Sequence, residues 1–516
     1  MNNLNFSCTP EEAKDPEYLE NRIRQELGIS KNQQLRYRWR KRSIDARNRH
    51  IKVNASFETW VDEEESPRFE SYQFPSVKDA EEIHIIGAGP AGLFAALEAI
   101  LNNKKPVIFE RGKDVRNRRR DLAQLTKSSI LNPESNYCFG EGGAGTYSDG
   151  KLYTRSKKRG DVQKVMQLLV QFGATEDILV DAHPHIGTNK LPQLIVAMRE
   201  QVLACGGEIH FDHKLTDLLV ENGRIVQLEL NHSLNVRVNN VILATGHSAR
   251  DIFHLLHKRN IEVKAKPFAL GVRVEHTQAF IDKLQYHGRL NDEYLPPSAY
   301  SLVTQVDGRG VYSFCMCPGG IIAPCATDQQ EVVTNGWSPS KRNNPYSNSG
   351  IVVSIDPTDF PNPENPFVCL EFQQSIERAS WEAAGKTQKV PAQCLKDFVQ
   401  RKKSTEFPRS SYQPGIVSVE MDAIFPAFVV DRLRQAFIDF DKKMPGFVTN
   451  DAVIHAPESR TSSPVLIPRD PESWQHPNVT NLYPCAEGAG YAGGIVSAAI
   501  DGMNCVSKIC QKELKN

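Results

Sequence analysis

The pattern of apolar and polar positions changes along the chain and predicts four consecutive segments, residues 1–78, 79–250, 251–450 and 451–516. The second and fourth segments contain short, fully apolar runs separated by helical patterns, which is typical of buried parallel strands. The third contains longer alternating runs, which are typical of an antiparallel or mixed sheet. We therefore predict an α/β fold: a Rossmann-like nucleotide-binding domain, an inserted mixed α+β substrate domain and a small N-terminal α+β module.

The strongest local pattern is a strand, a glycine turn and a helix that begin at residue 83. Residues 83–86 are mostly branched and apolar, and the spacing Gly87-x-Gly89-x-x-Gly92 follows them directly. Gly87 permits a sharp turn, Gly89 permits the backbone to approach a pyrophosphate, and Gly92 permits the helix to pack on the strand. The first N–H groups of such a helix attract phosphate. The pattern predicts a dinucleotide site; a glycine loop in an ordinary α/β protein is the alternative.

Further segments of nucleotide-site composition lie far apart in the chain. Glu110 ends the next apolar run, about twenty residues past the turn, where a carboxylate accepts hydrogen bonds from ribose hydroxyls. Residues 139–152 are rich in glycine, residues 244–246 form a small-residue turn after a strand, and residues 487–495 combine an acid with glycines before a helix. Glycines outside regular elements imply close backbone approach, although a flexible surface loop is the alternative for residues 139–152.

The first segment combines a capped helix with alternating strands. Asp15 and Gly28 are typical of the start and the end of a helix, and residues 35–40 and 51–57 alternate as half-buried strands do. The first strand carries alternating arginines, and the helix at residues 116–120 is also basic. These surfaces permit binding of RNA or another phosphate-rich partner, but a solvated basic face is the favoured interpretation.

The third segment predicts a sheet covered by helices. Alternating runs predict strands at residues 268–274, 310–316, 332–335, 350–355 and 367–372. Helical patterns predict helices at residues 374–384, 392–401 and 427–442. This composition is typical of an inserted substrate domain.

Composition excludes several classes of protein. Lys+Arg and Asp+Glu both number 62, so no overall charge attracts nucleic acid or membrane. The N-terminus lacks a basic stretch followed by an apolar run, so no secretory signal is expected there. No apolar stretch is long enough to span a bilayer. The 11 scattered cysteines favour free thiols in a reducing cytoplasm.

The separation of these segments resembles the glutathione-reductase-like flavoproteins with two dinucleotide-binding domains, whose last strand and helix return to complete the FAD site. More narrowly, six stretches are similar to the bacterial family of FAD-dependent, "NAD(FAD)-utilising" dehydrogenases. They are residues 42–47, 139–152, 183–188, 267–276, 312–320 and 487–502. The resemblance implies FAD as the cofactor. One departure is Ala486, where a glycine is expected before the closing glutamate.

The resemblance also implies roles for individual residues. Those expected along the pyrophosphate, adenosine, ribityl chain and flavin are Gly87, Ala88, Gly89, Pro90, Ala91, Gly92, Glu110, Arg111, Arg118, Gly142, Gly143, Ala144, Thr146, Asp149, Lys151, Leu215, Ala244, Thr245, Gly246, Glu487, Gly488, Gly493, Gly494 and Ile495. Leu215 is expected to meet the adenine through its backbone. The helix after Gly494 is expected to point its N-terminus at the flavin, where it stabilises the negative charge of the reduced ring.

Three residues are candidates for chemistry on a substrate. Arg460 lies in a polar run before the closing motif and is the candidate to bind an anionic substrate or the flavin. Capping or a salt bridge is its alternative role. His247 and Tyr491 are candidates to supply protons.

Metal and thiol chemistry have weaker signals. His183 and His185 have no third ligand at helical spacing, so loop packing or ligand positioning is favoured and no metal centre is predicted. Cys315 and Cys317 lie on one side of a predicted strand, and both redox use and simple packing remain open. No Cys-x-x-Cys follows the first glycine turn, which disfavours disulfide exchange of the thioredoxin-reductase kind.

The expected function is therefore that of an FAD-dependent oxidoreductase which transfers hydride between flavin N5 and a small organic substrate. No second Gly-x-Gly-x-x-Gly follows a strand, so NAD(P)H is expected only as a transient reductant, unless the substrate itself reduces the flavin. An RNA- or tRNA-acting flavoprotein and a non-catalytic, flavin-bound regulatory protein are the alternatives.

Overall fold

The computed structural model describes residues 2–154, 160–289 and 292–513. The strands are β1 Asn2–Cys8, β2 Leu35–Asp45, β3 Lys52–Val61, β4 Glu82–Ile86, β5 Lys105–Phe109, β6 Glu208–His210, β7 Leu215–Glu221, β8 Arg224–Leu230, β9 Leu234–Arg237, β10 Val241–Leu243, β11 Lys264–Ala265, β12 Phe268–Thr277, β13 Val303–Val306, β14 Arg309–Cys317, β15 Ile321–Pro324, β16 Thr334–Trp337, β17 Tyr346–Ile355, β18 Val390–Cys394, β19 Ile416–Ser418, β20 Val453–Glu458, β21 Val465–Leu466 and β22 Leu482–Pro484. The helices are α1 Pro16–Leu27, α2 Pro90–Leu101, α3 Val115–Ser128, α4 Val162–Gln171, α5 Leu191–Ala204, α6 Arg250–Lys258, α7 Gln278–Gln285, α8 Val368–Ala383, α9 Leu395–Val399, α10 Ala427–Lys443 and α11 Ile495–Glu513.

A five-stranded parallel sheet forms the centre of the nucleotide-binding half, in the order β22-β10-β4-β5-β6. The apolar strand β4 lies in the middle, paired with β10 on one side and β5 on the other. The last strand, β22, joins the sheet beside β10 although the whole inserted segment separates the two in sequence. An α/β fold with a Rossmann-like parallel sheet is therefore confirmed, and the late strand completes it.

Two helices that are distant in sequence pack directly on each other over this sheet. A Cβ atom added at Gly502 of α11 would lie 2.1 Å from the carbonyl oxygen of Ala91 in α2. Only glycine permits so close an approach. The small residues of both helices therefore explain how their N-terminal ends reach the same region.

The inserted segment forms a seven-stranded mixed sheet in the order β13-β14-β17-β12-β20-β18-β19. Its core packs against α8, α9 and α10, whose apolar faces include Phe398, Phe437 and Phe440. Strand β20 lies at residues 453–458, beyond the predicted boundary at 450, because it pairs with β12 inside this sheet.

Two predicted elements of the insert differ from the structure. Residues 367–372 were expected as a strand but begin helix α8. Its buried residues Cys369, Leu370, Gln373, Ile376 and Glu377 follow a helical period, which the mostly apolar run at residues 367–372 conceals. Residues 392–394, expected in a helix, belong to strand β18, whose five residues are all buried.

The N-terminal module packs α1 on a three-stranded sheet of order β1-β3-β2. Much of its basic strand is neutralised locally, because Arg38 contacts Glu58 and Glu65. Arg42 links the module to the rest of the chain through an ion pair with Asp181, 2.8 Å between Nε and Oδ1. Across the described ranges, every helix is too short or too polar to cross a membrane.

Candidate functional site

A cleft opens at the carboxyl edge of the parallel sheet, where ligands bind in folds of this type. It holds about 1330 Å³ of empty space, part of it open to solvent. Residues at or just after the carboxyl end of each of the five strands line it: Ile86 and Gly87 for β4, Phe109 and Glu110 for β5, His213 for β6, Ala244 and Thr245 for β10, and Ala486 and Glu487 for β22. Segments from opposite ends of the chain therefore meet at one cleft.

The glycines of the first turn have different structural roles. A Cβ at Gly87, whose φ is +106°, would lie 2.4 Å from the carbonyl oxygen of Ala244, and one at Gly92 would lie 1.9 Å from that of Gly87. These two glycines hold the turn together. Gly89 is different, because its Cβ would meet only Gly143, at 3.9 Å, and its backbone borders the cleft. Gly89 therefore keeps the start of α2 accessible to a ligand.

Glu110 is buried and joins the two glycine-rich segments. Its Oε2 accepts a hydrogen bond from the N–H of Ala88 at 2.8 Å, and its Oε1 accepts from the N–H groups of Gly112 at 3.0 Å and Gly140 at 2.9 Å. A carboxylate has about four acceptor positions, so one remains for a hydroxyl group in the cleft. The sequence predicted the acid but not its role as a brace for the backbone.

Arg118 organises the second glycine-rich segment from behind. Its fully buried guanidinium donates to the carbonyl oxygens of Asn136, Glu141 and Gly143, each at 2.8 Å. Thr146 also donates to Glu141, through Oγ1 at 2.6 Å. Arg118 and Thr146 are therefore positioning residues for the segment whose Gly143 and Ala144 border the cleft.

The closing segment turns sharply before α11. Ala486 has a φ of +58°, a left-handed conformation that favours glycine, so the departure noted in the sequence falls at a strained position. Gly488 packs on Gly246, where a Cβ would lie 2.7 Å from the carbonyl oxygen. Burial raises the pKa of the neighbouring Glu487 to about 7, although Lys266 opposes the shift.

The cleft contains some of the predicted residues and not others. Those that line it are Gly87, Gly89, Pro90, Ala91, Glu110, Arg111, Gly143, Ala144, Ala244, Thr245, Gly246, His247, Arg460, Glu487, Gly494 and Ile495. Those placed behind or beside its walls are Ala88, Gly92, Arg118, Gly142, Thr146, Asp149, Lys151, Leu215, Gly488, Tyr491 and Gly493. Leu215 packs in an apolar cluster, and His213, two residues earlier, lines the cleft in its place.

Arg460 lines the cleft, but its guanidinium is fully engaged inside the protein. Nε and Nη2 donate to Glu377 at 3.1 and 3.0 Å, Nη2 also donates to Glu331 at 3.3 Å, and Nη1 donates to Ser248 and Thr327 at 3.1 and 2.8 Å. Arginine has five N–H donors, and these contacts account for them. The geometry therefore favours the alternative role, a buried salt bridge.

His247 and Tyr491 also have defined partners. Ser248 Oγ accepts from Arg460, and it lies 2.9 Å from His247 Nδ1 and 3.4 Å from Cys138 Sγ, so its one proton has two available acceptors. Burial lowers the pKa of His247 to about 4, so the ring is neutral at pH 7. Tyr491 lies outside the cleft, and its hydroxyl accepts a hydrogen bond from the N–H of Arg469 at 2.8 Å. Only His247 remains in place to act on a ligand.

Lys151 and Asp149 lie at the side of the cleft rather than in it. Lys151 Nζ is 3.3 Å from Asp149 and lies 3.8 and 3.7 Å from the sulfur atoms of Cys315 and Cys317. Of these residues Cys315 lines the cleft, on the wall that the inserted sheet contributes. His185, the second histidine of the pair noted in the sequence, contacts the carbonyl oxygen of Ser340 at 3.1 Å. This contact agrees with the loop packing expected for it.

Several residues of the cleft had no signal in the sequence. Phe109, His213 and Phe139 line the side formed by β5 and β6, where the Arg111 guanidinium lies 4.2 Å from the centre of the Phe139 ring. Phe314 and Asn335 come from the inserted sheet. Arg111 itself pairs with Glu134 and Asp251, so its charge is neutralised within the protein.

The residues present fit a flavin dinucleotide. The N-terminus of α2, which has no side-chain cap, and that of α11, which lines the cleft, offer N–H groups to anionic parts of a ligand, and Glu110 retains an acceptor position for a hydroxyl group. Thr245 lines the cleft with a buried hydroxyl oxygen that has no partner among the described residues. A polar ligand in the cleft would supply one.

Two family models match parts of this chain, and a relative matches nearly all of it. Residues 267–461 match the family model described as "FAD-dependent protein, C-terminal domain-like", and residues 1–60 match one described as a domain of unknown function, DUF8436. An uncharacterized protein of Clostridium beijerinckii is 36% identical over 532 residues, covering 99% of this chain and 98% of the relative.

Solved structures give only remote likenesses. The glycerol-3-phosphate dehydrogenase of Bacillus halodurans complexed with FAD has a TM-score of 0.36 at 10% identity, over 85% of this chain and 66% of that one. The halogenase PltM, in complex with ethyl mercury and mercury, has a TM-score of 0.36 at 11% identity, over 84% and 69%. CtdE in complex with FAD and a substrate has a TM-score of 0.35 at 10% identity, over 84% and 81%. At such low identities and TM-scores, these solved structures give no information about the reaction of this chain.

Proposed function

We propose that this chain, which belongs to one family with the Clostridium beijerinckii relative and matches a model of FAD-dependent proteins over residues 267–461, is an FAD-dependent oxidoreductase which transfers hydride between flavin N5 and a small organic substrate. The narrower assignment to the NAD(FAD)-utilising dehydrogenases, with NAD(P)H as a transient reductant, is part of this proposal. So is the role of the inserted sheet as a substrate domain.

One observation carries the proposal: a single cleft receives residues from all five parallel strands together with the N-termini of α2 and α11. An ordinary glycine loop would not need a strand and a helix from the end of the chain to complete its surroundings. A dinucleotide does, because its two halves extend across the switch point of the sheet.

The residues divide between the parts of the cofactor. The start of α2, with Gly89, binds the pyrophosphate, and Glu110 accepts hydrogen bonds from the ribose. Gly494 and Ile495, at the start of α11, lie toward the flavin, where the positive end of the helix stabilises negative charge.

The chemistry comes from the cofactor and its orientation from the chain. Bound FAD supplies two-electron hydride chemistry at N5. The neutral His247 forms a hydrogen bond with a polar group in the cleft rather than donating a proton to it, since the low pKa keeps imidazolium scarce at pH 7. Substrate approaches from the wall that contains Phe314 and Asn335, because the parallel sheet and its turns occupy the opposite side.

Two glycine variants test cofactor binding without testing folding. Gly89→Val fills the approach to α2, yet its Cβ meets no atom closer than 3.9 Å and its φ is ordinary. We expect wild-type protein to bind FAD and show flavin absorbance, and Gly89→Val to fold but lose FAD affinity by at least tenfold. Gly310→Val, at a position that does not line the cleft and whose Cβ would meet only side-chain atoms at 3.4 Å or more, is the control. Wild-type protein that stays colourless with added FAD would refute the proposal.

A redox screen tests the reaction. Candidate reductants, including NADH and NADPH, are mixed anaerobically with the holoprotein, and bleaching of the flavin absorbance is followed. An organic substrate or nicotinamide that bleaches the flavin in a catalytic cycle supports an oxidoreductase. Flavin that no metabolite reduces or reoxidises would instead support a non-catalytic, flavin-bound regulatory protein.

A further inference from the structure

Two cysteines in the wall of the cleft share one lysine. Cys315 lines the cleft, whereas Cys317 is completely buried behind it. Lys151 Nζ lies 3.8 Å from the first sulfur and 3.7 Å from the second. An ammonium group stabilises a nearby thiolate, whereas two cysteines that served only as apolar packing would not need a lysine beside them.

The backbone at this pair is distorted. Cys315 has a φ of +49°, and the pairing of β14 with β17 is irregular between Phe314 and Cys317. A non-glycine residue in this conformation is strained, and such strain concentrates at functional sites. The distortion keeps both sulfur atoms on the side of Lys151 and places the Cys317 sulfur 3.3 Å from the Cys315 carbonyl oxygen.

The surrounding charges distinguish the two thiols. A hydrogen bond from Cys317 lowers the pKa of Cys315, with Lys151 and Arg273 adding to the effect against burial and Asp149. The same contact and burial raise the pKa of Cys317. Glu458 and Glu487 are the other charged groups that interact with Cys315. The pair therefore combines a thiol of lowered pKa that faces the cleft with a buried thiol of raised pKa.

We propose that Cys315 and Cys317 form a redox-active dithiol that exchanges two electrons with the flavin, an inference that rests on the proposed function. As the S–S bond forms, the Cys315 thiolate and the Cys317 thiol give up two electrons and the Cys317 proton. Oxidised flavin takes up both electrons and that proton and becomes the reduced anion. Charge and atoms balance, and the reverse step returns the dithiol.

Thiol mapping tests the pair directly. The full-length protein is equilibrated in oxidising or reducing glutathione buffer, alkylated with N-ethylmaleimide and analysed by peptide mass spectrometry. We expect a Cys315–Cys317 disulfide under oxidising conditions and two alkylated thiols under reducing conditions. Cys317→Ser should abolish the disulfide, and Cys510→Ser, in α11, should retain it. Free Cys315 and Cys317 in the oxidised protein would overturn the proposal.

An anaerobic dithionite titration tests electron exchange with the cofactor. Oxidised wild-type holoprotein should take up twice as many electrons per flavin as Cys317→Ser, because the disulfide accepts a second pair. Equal uptake would overturn the proposal. Should the protein bind no FAD, the proposed function fails, but the mapping experiment still reports whether the disulfide exists.

The role of Lys151 provides a measurement that does not depend on the cysteine variants. The rate of Cys315 alkylation by iodoacetamide should rise with pH at a lower midpoint in wild type than in Lys151→Met. Lys151→Arg should restore the low midpoint because it keeps the charge. An unchanged midpoint in Lys151→Met would show that Lys151 does not lower the pKa of Cys315, and it would contradict the role of the lysine in the dithiol.

Discussion

Arg273 and Glu458 form an ion pair that is sealed inside the inserted sheet, with 2.7 Å between Nε and Oε2 and side-chain exposures of 0% and 2%. They lie on the neighbouring strands β12 and β20, and Arg273 also donates to Asn348 at 2.8 Å. Burial raises the pKa of Glu458, which Arg273 opposes. The pair joins residues on either side of the predicted boundary at 450, because β20 belongs to the inserted sheet.

Removing one partner of this pair should destabilise the protein strongly. Arg273→Met leaves Glu458 buried without a counter-charge, and we expect the free energy of unfolding to fall by about 3–5 kcal/mol. The double variant with Glu458→Met should recover most of the loss, since no charge remains buried. Urea unfolding of the three proteins measures this. A single variant as stable as wild type would contradict the importance of the pair.

Arg460 leads to a similar prediction for a residue at the cleft. Arg460→Met removes one of the two buried arginines that neutralise Glu331 and Glu377 and leaves Arg250 alone with both carboxylates, so the free energy of unfolding should fall by about 3 kcal/mol or more. The exposed pair of Arg401 with Asp431 is the control, where Arg401→Met should cost less than about 1 kcal/mol. Thermal and urea unfolding distinguish the two. If Arg460→Met weakens only substrate binding, its role as a buried salt bridge is wrong.

Replacing Ala486 with glycine should stabilise the folded protein. Its φ of +58° is costly for alanine, and Ala486→Gly should raise the free energy of unfolding by roughly 0.5–1 kcal/mol after the extra chain entropy of glycine is subtracted. Ala197→Gly, in the middle of α5, should instead lower it by about 1 kcal/mol. A loss of stability in both variants would show that the strain at residue 486 is not relieved.

Glu275 should make stability depend on pH. Burial raises its pKa to about 7 from 4.5, although Ser411 donates hydrogen bonds to it. Between these values the folded state holds a proton that the unfolded state releases, so stability falls as pH rises. The advantage of wild type over Glu275→Gln should therefore shrink from pH 4.5 to 7, by at most about 1.4 kcal/mol per pH unit, and then level off.

The control for this titration is Glu364→Gln, at an exposed site. Its difference from wild type should not follow the same profile. Urea unfolding at several pH values measures both. A difference between wild type and Glu275→Gln that grows with pH would contradict the sign of the shift.

Short-range patterns predicted the centre of the parallel sheet well, because β4 is a brief apolar run that ends directly before Gly87. The turn at Gly87 and the acid at Glu110 lie where local sequence places them. The insert was predicted less well. Residues 367–372 are apolar at five of six positions, as in a buried strand, and only the following turns reveal helix α8, whose buried face extends to Ser380.

Side-chain roles in the cleft were less predictable than its backbone. The acceptors that engage Arg460 come from Glu331 and Glu377, which are distant in sequence and acquire meaning only after the inserted sheet folds. His213 replaced Leu215 for a similar reason, since the path of the chain after β6 depends on packing with α6 and β8. Local sequence specifies turns, whereas ion pairs and cleft walls depend on long-range contacts.

The position of β22 and α11 also determines when the protein can first acquire its ligand. During synthesis on the ribosome, strands β4, β5, β6 and β10 emerge before the insert, and the sheet has an unpaired edge beside β10 until residues 482–484 appear. The inserted sheet can fold earlier, since domains generally form as units. The cleft, however, gains its last wall only when α11 leaves the exit tunnel, so it is incomplete until the whole insert has been synthesised.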